Sequence, residues 1–453
     1  MKSVNPHHPS ETVWEGEASR SEGVEEAVER ARAAFEPWSG LPAPARGDAL
    51  RRIGDSLEDA SGRLVELTVR EVGKPVMEAR QEVARAVAIF RYYAQLAVTQ
   101  RGEDYPSADG RSWLLSRRNP LGVCALLTPW NFPVAIPAWK IAPALGFGDT
   151  AIFKPAPQSA AIGNLLHEMA ATHLPDGVLE IVHGDAETGR PLTAHPGVDA
   201  ISFTGSVEVG HEVAGAAARR GVKVQCEMGG QNPSVVLADA DLERGAETIA
   251  FAAMGYAGQK CTATSRVIVE DRVYEPFKGR LVAAVEAMQV VDPGAEDCRV
   301  GPVIERAARD AAMDAIAAAD GVVLTGGKEL DAVGFYLAPT LVEVKDPTSL
   351  LATKEVFGPV AALMRAASQE EAIEIANATD YGLVASVFTA DLERAMTSLD
   401  RLKAGLVRTN APTSGVDFHV PFGGTKASSY GPREQGTAAR DFYTESQTLL
   451  VSP

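Results

Sequence analysis

A thiol, two carboxylates and an amide stand in four short stretches of this chain. Cys261 closes Gly258-Gln259-Lys260-Cys261, and Glu227 opens Glu227-Met228-Gly229-Gly230. Glu355 opens Glu355-Val356-Phe357-Gly358-Pro359, and Asn131 lies inside Thr128-Pro129-Trp130-Asn131-Phe132-Pro133. A thiolate is a strong nucleophile, but a free thiol ionises near pH ~8.5 and needs a helpful environment. A carboxylate can serve as general base toward water. A side-chain amide can donate to the oxygen that gains charge when a carbonyl is attacked. The set suits covalent oxidation of an aldehyde through a thioester. Singly, each stretch says little, since a cysteine is more often an inert core residue and an asparagine more often shapes a turn.

In this order and at these separations, the four stretches resemble the aldehyde dehydrogenase superfamily. The resemblance runs from about Glu22 to Val451. It implies that Cys261 is the nucleophile and Glu227 the base that activates water for thioester hydrolysis. The Asn131 amide, with the Cys261 backbone N–H, would hold the oxyanion. Met228 replaces the usual leucine of the family's Glu-Leu-Gly-Gly-x-Asn, and the two glycines leave room for close backbone approach and a bound water. Cys124, Cys226 and Cys298 read as structural.

The resemblance also implies an NAD(P)+ site. Thr128, Pro129 and Trp130 precede the oxyanion amide. Lys154-Pro155-Ala156 resembles a motif whose lysine reaches the adenosine ribose, but Pro157 stands where the family carries a glutamate. Without that carboxylate nothing repels a 2′-phosphate, so NADP+ is expected to be used at least as well as NAD+. Gly205-Ser206, with Gly210 four residues on, resembles the family's pyrophosphate-facing helix start. Glu355 matches the glutamate that orients the nicotinamide ribose, and Trp130 and Phe357 read as packing residues beside it. Lys140 and Lys154 are further candidate helpers. No metal site is expected.

The stretch from Arg408 to Gly424 occupies the position of the family's substrate loop. It resembles members that oxidise α-ketoglutaric semialdehyde and similar sugar-acid aldehydes, as does Cys261-Thr262-Ala263-Thr264-Ser265-Arg266. An acidic substrate needs a cation, for which Arg408 and Arg118 are the candidates, unless both are tied up in structural pairs. Three rival readings stand beside this one: acyl transfer to coenzyme A, which usually goes with loss of the base; an inactive member with a structural or binding role; and a cysteine hydrolase with a histidine paired to Cys261.

These groups must be held by elements the rest of the sequence describes. The chain has 453 residues, 45% of them hydrophobic, which predicts two or three domains. Its formal charge of −17 disfavours nucleic acid and anionic membranes as partners. Four cysteines without metal or disulfide spacing fit a reducing cytoplasm, and the Met1 end shows no secretion-signal pattern. The uncharged stretch Asn119 to Trp139 contains four prolines that would break a spanning helix, and reads as a buried strand followed by an active-site loop.

Up to Arg101 the apolar spacing predicts helices, with Val24, Ala27, Val28, Ala31 and Phe35 on one face. Val76, Ala79, Val83, Ala86, Val87 and Phe90 line a later one. From Val123, short apolar runs alternate with helix-length segments, as they do again after Cys261. That pattern predicts an α/β fold with parallel sheets. The expected architecture is a Rossmann-type cofactor domain (1–101 and 121–229), a second α/β catalytic domain (230–439) and a small β oligomerisation element (102–120 and 440–453). The resemblance makes that last element the contact of a homodimer or homotetramer.

Overall fold

The computed structural model describes residues 1–99, 102–330 and 333–453; the expected boundary at Arg101 lies outside them. Helices Ser21–Ser39, Ala43–Asp59, Ser61–Val72 and Val76–Leu96 fill the first hundred residues. Every apolar position expected on the Val76–Leu96 face is buried. On Ser21–Ser39 the face holds through Ala31. Trp38 rather than Phe35 then completes it, donating from Nε1 to the Leu145 carbonyl at 3.1 Å. A short hairpin, Lys2–Val4 with Thr12–Glu15, precedes these helices.

The first large sheet runs, in spatial order, Ser429–Tyr430, Lys223–Glu227, Ala200–Thr204, Val123–Leu127, Thr150–Lys154 and Leu179–Ile181. All are parallel except Ser429–Tyr430, which pairs antiparallel with Lys223–Glu227. That strand crosses the expected division of the chain. Residues assigned to the second domain return to the first sheet, and Phe442 and Tyr443 are buried in the first domain's core. The reason is local: Ser429 and Tyr430 satisfy the open edge of Lys223–Glu227.

The second sheet has the order Gly321–Thr325, Thr340–Val344, Val360–Ala366, Thr264–Glu270, Asn232–Val236, Val384–Phe388 and Leu406–Thr409. Only its first pair is antiparallel. It opens at Asn232–Val236 and helix Leu242–Met254, before Cys261 rather than after it. The third sheet pairs Thr444–Val451 with Trp113–Pro120 along eight positions, and Asp104–Tyr105 with the other edge.

The uncharged stretch departs from expectation in its second half. After strand Val123–Leu127 and a loop, Ala135–Phe147 is a helix, buried from Ala135 to Gly146. Pro137 falls in its first turn, where no intrahelical donor is required. Only Pro143 lies in the interior. Among the described residues no helix is long and apolar enough to cross a membrane.

Candidate active site

Cys261 follows helix Leu242–Met254 through a tight turn, Gly255–Gly258. Tyr256 and Ala257 adopt φ values of 56° and 53° there, in the left-handed region. Gly258 continues it, and a Cβ at Gly258 would strike the Gly358 carbonyl. The turn is held from several sides. The Gln259 amide donates to the Tyr256 and Pro302 carbonyls at 3.3 Å and accepts from the Ile304 N–H at 2.8 Å. Asn232 Nδ2 donates to the carbonyls of Cys261 and Ala263, each at 2.8 Å. Lys260 pairs with Glu78 at 2.8 Å.

Asn131 is buried, and its Nδ2 donates to the Gln259 carbonyl at 3.0 Å, two residues before the thiol. An amide nitrogen has two hydrogens, so one stays available for an oxyanion. The Asn131 loop is clamped by a buried pair the sequence did not reveal. Lys74 donates to the Asn131 carbonyl at 2.7 Å and pairs with Glu82, its ammonium lying 4.0 Å from the Phe132 ring centre. Glu82 also accepts from the Val134 and Ala135 amides at 2.8 and 3.0 Å, where the Ala135–Phe147 helix begins.

Glu227 ends its strand wholly inside the protein. Ser429 Oγ donates to its Oε2 at 2.5 Å, while Oε1 is buried without a partner. Burial, and then the charge of Glu434, push its pKa well above the usual carboxylate range. Glu434 is itself buried against Lys140, which also donates to Ser202 Oγ at 2.7 Å. Burial pushes the Cys261 thiol up to about 12, and the nearby carboxylates Glu355, Glu227 and Glu434 add to the effect. Among the described residues no histidine hydrogen-bonds Cys261, so the hydrolase reading lacks its paired base.

Glu355 folds onto the two glycines after the base. Its Oε1 accepts from the Gly230 N–H at 3.0 Å, and a Cβ at Gly229 would collide with its carboxylate. A Cβ at Gly230 would crowd the Cys261 carbonyl. The glycines thus make space for a side chain and the nucleophile's backbone. Burial raises Glu355 to about 7. Phe357 has φ 53° and meets Trp130 edge to face, ring centres 5.7 Å apart.

The remaining cofactor candidates gather at the carboxyl ends of the first sheet. Its strand order reverses between Val123–Leu127 and Ala200–Thr204, the crevice where open parallel sheets bind ligands. Thr128 and Thr204 flank that point, and each has a buried hydroxyl with no partner. Lys154 ends the next strand, and burial lowers its pKa to about 8. Pro129 continues from Thr128; Ala156 caps, and Pro157 begins, the short turn Pro157–Ser159. Gly205 and Ser206 lie at the start of helix Val207–Arg220, whose Val209 N–H Ser206 caps at 3.4 Å. These orphaned hydroxyls beside a helix start fit a dinucleotide. Gly210, in the first turn of that helix, is buried, and a Cβ there would strike Met228, so its lack of a side chain lets the helix start pack closely on the strand.

The aldehyde dehydrogenase family model matches residues 1–449. The chain belongs to the aldehyde dehydrogenase family. It is 40% identical to the α-ketoglutaric semialdehyde dehydrogenase of Bacillus subtilis (strain 168), covering 100% of this chain and 95% of that one. It is also 40% identical to the α-ketoglutarate semialdehyde dehydrogenase of Haloferax volcanii, over 99% of this chain and 95% of that one. The solved betaine aldehyde dehydrogenase of Staphylococcus aureus in complex with NAD+ superimposes with a TM-score of 0.97 at 29% identity, covering 100% of this chain and 92% of that one. Family and fold together make the chain an NAD-dependent enzyme that oxidises an aldehyde to the acid.

In this aldehyde dehydrogenase the two expected substrate arginines are occupied. Arg408 donates to the Pro412 and Ser414 carbonyls at 2.9 Å and to that of Gly415, so it shapes the loop from 408 to 424. Arg118 pairs with Asp441 at 2.8 Å beside the third sheet. Glu434, Ser429, Lys74 and Glu82 are functional neighbours that the sequence reading missed. A partial signal existed for one of them: Lys140 is a lone charge in an otherwise apolar helix, and such a lysine requires a buried carboxylate.

Proposed function

We propose that this aldehyde dehydrogenase oxidises an acidic semialdehyde of the α-ketoglutaric semialdehyde kind and releases the acid by hydrolysis. The observation that carries the hydrolytic reading is Glu227, wholly buried near Cys261 with one carboxylate oxygen unpartnered. That oxygen is available to take a proton from water. The semialdehyde activity of two relatives at 40% identity supports the substrate class.

Cys261 reacts as the thiolate, its proton passing to solvent, and its sulfur bonds to the aldehyde carbon. Asn131 Nδ2 and the Cys261 N–H take the charge that moves onto oxygen, donors worth about 3–4 kcal/mol to a transition state. NAD(P)+ held by the residues named below would supply the hydride acceptor that oxidation of this adduct to a thioester requires. Glu227 then removes a proton from water, whose oxygen attacks the thioester; the C–S bond breaks and Cys261 leaves with the proton restored. A coenzyme A acceptor would make the Glu227 base superfluous, and an inactive member would not keep Cys261, Glu227 and Asn131 together.

For the cofactor, Thr128, Pro129, Trp130, Lys154, Ala156, Pro157, Gly205, Ser206, Glu355 and Phe357 are the assigned contacts. NADP+ is used at least as well as NAD+ because Pro157 carries no charge. Assembly is a homodimer or homotetramer through strand Thr444–Val451, whose Leu450 and Val451 are exposed. A reducing cytoplasm is its compartment. The test is a panel of acidic, aliphatic and aromatic aldehydes run with both cofactors, reading NAD(P)H absorbance. Highest kcat/KM on the acidic semialdehyde, with no coenzyme A requirement, is the expected result. A preference for uncharged aldehydes would overturn the substrate class.

A further inference from the structure

With Arg408 and Arg118 both occupied, the acid group of such a substrate lacks an evident cation. The Val76–Leu96 helix supplies one. Glu78, Glu82, Arg85, Ile89 and Tyr92 recur at intervals of three and four, which places them on one face. Three of them mark where that face points. Glu78 meets Lys260, the neighbour of the nucleophile, at 2.8 Å. Glu82 receives the amides of Val134 and Ala135, just after the oxyanion loop. Tyr92 meets Phe418 of the substrate loop, ring centres 5.7 Å apart. Arg85 therefore stands between the nucleophile's loop and the substrate loop.

Charge accounting sets it apart. The Glu78 carboxylate is taken by Lys260, and that of Glu82 by Lys74 and two amides. Arg85 is half-buried and makes no hydrogen bond or ion pair with any described residue. It lies close enough to Arg408 for the two positive charges to repel, which helps to lower the Arg408 pKa. Two adjacent guanidinium groups, one bound only to backbone carbonyls and the other to nothing, leave positive potential beside the loop whose Val416 packs against the same apolar cluster as Cys261. Only Asp417, which is exposed, offsets it from the loop side. A guanidinium presents a planar fork of donors matched to a carboxylate.

We propose that Arg85 is the specificity residue of this enzyme, pairing with the distal carboxylate of an acidic semialdehyde while its aldehyde end reaches Cys261. This rests on the acidic-substrate reading above. The test compares kcat/KM for α-ketoglutaric semialdehyde and for pentanal, an uncharged aldehyde of equal carbon number, in the full-length enzyme. Parent, Arg85→Met and Arg85→Lys are measured. The readout is the ratio of the two kcat/KM values, so a general loss of active protein cancels. Arg85→Met is expected to lower the ratio about tenfold to a hundredfold, chiefly through KM for the acid, and Arg85→Lys to recover part of it. A parent that favours the acid, with the ratio unchanged in Arg85→Met, overturns the Arg85 assignment alone. A parent with no preference for the acid overturns the substrate reading and this assignment with it, and does so before any variant is made.

Discussion

At the scale of single residues, the resting thiol is the most unusual group. Cys261 is half-buried with carboxylates near it, and its pKa is pushed up to about 12. Only the thiolate reacts with iodoacetamide, so the alkylation rate should climb about tenfold per pH unit from pH 7 to pH 10 without levelling. Glu355 contributes the largest charge effect on that thiol. Glu355→Gln should therefore speed Cys261 alkylation at pH 8, as followed by intact mass; an unchanged rate would show that burial alone sets the thiol. Cys261→Ser should abolish dehydrogenase activity while cofactor binding persists. Glu227→Gln should give one burst of NAD(P)H and then stall, because the base acts in deacylation. Loss of the burst would assign Glu227 an earlier role. Pro157→Glu adds one acceptor and one repulsive charge beside Lys154. It should move the NADP+/NAD+ ratio of kcat/KM toward NAD+ by about 1–3 kcal/mol, tenfold to a hundredfold. A parent already strict for NAD+ would sink that reading.

Among elements, the helix Val76–Leu96 governs the oxyanion site without contributing a reacting atom. Glu82, with Lys74 from the preceding loop, fixes both flanks of Asn131. Removing one member of a buried pair strands the other charge, a loss of about 3–5 kcal/mol. Lys74→Met should therefore lower Tm and reduce kcat more than it raises KM, because the oxyanion forms only after substrate is bound. Lys74→Met combined with Glu82→Gln should recover much of the Tm and little of the kcat. Equal recovery of both would mean the clamp is only structural.

This clamp also shows what could be read from the sequence and what could not. Cys261, Glu227, Asn131 and Glu355 each stand in a motif of a few adjacent residues, so local pattern was enough to single them out as candidates. Lys74 and Asn131, or Glu227 and Ser429, are joined only by tertiary contact, and no local periodicity encodes such a pairing. The same reason hid strand Ser429–Tyr430, too short to show alternation, and left open whether Arg408 was free or, as its own loop carbonyls make it, tied up. Helix Ala135–Phe147 was obscured by its prolines, since position in the first turn decides whether a proline breaks a helix.

Across the whole molecule, buried carboxylates set a pH dependence. Asp149 accepts from the Leu121 and Gly122 amides at 2.5 and 3.0 Å, yet its Oδ2 has no partner, and burial raises it from 3.8 to about 8. Its folded pKa lies above the unfolded one, so between about pH 4 and pH 8 the folded state keeps a proton the unfolded state has lost. Stability from this group therefore falls as pH rises through that window. Asp149→Asn keeps the amide acceptor and cannot ionise. The Tm of the variant relative to the parent should rise between pH 5 and pH 9, measured calorimetrically; a flat difference would place the titration elsewhere.

The return of strand Ser429–Tyr430 to the first sheet bears on how this protein could be divided or recombined. A cut at residue 230 would not yield two modules. The amino-terminal piece would lose the partner of its Lys223–Glu227 edge, the Ser429 donor to its base and the Glu434 that neutralises Lys140. A chimera that exchanges cofactor domains between two such enzymes would have to carry the segment from about 425 to 443 along with residues 1–229. Otherwise the graft would import a general base without its hydrogen-bond donor and a buried lysine without its counter-ion.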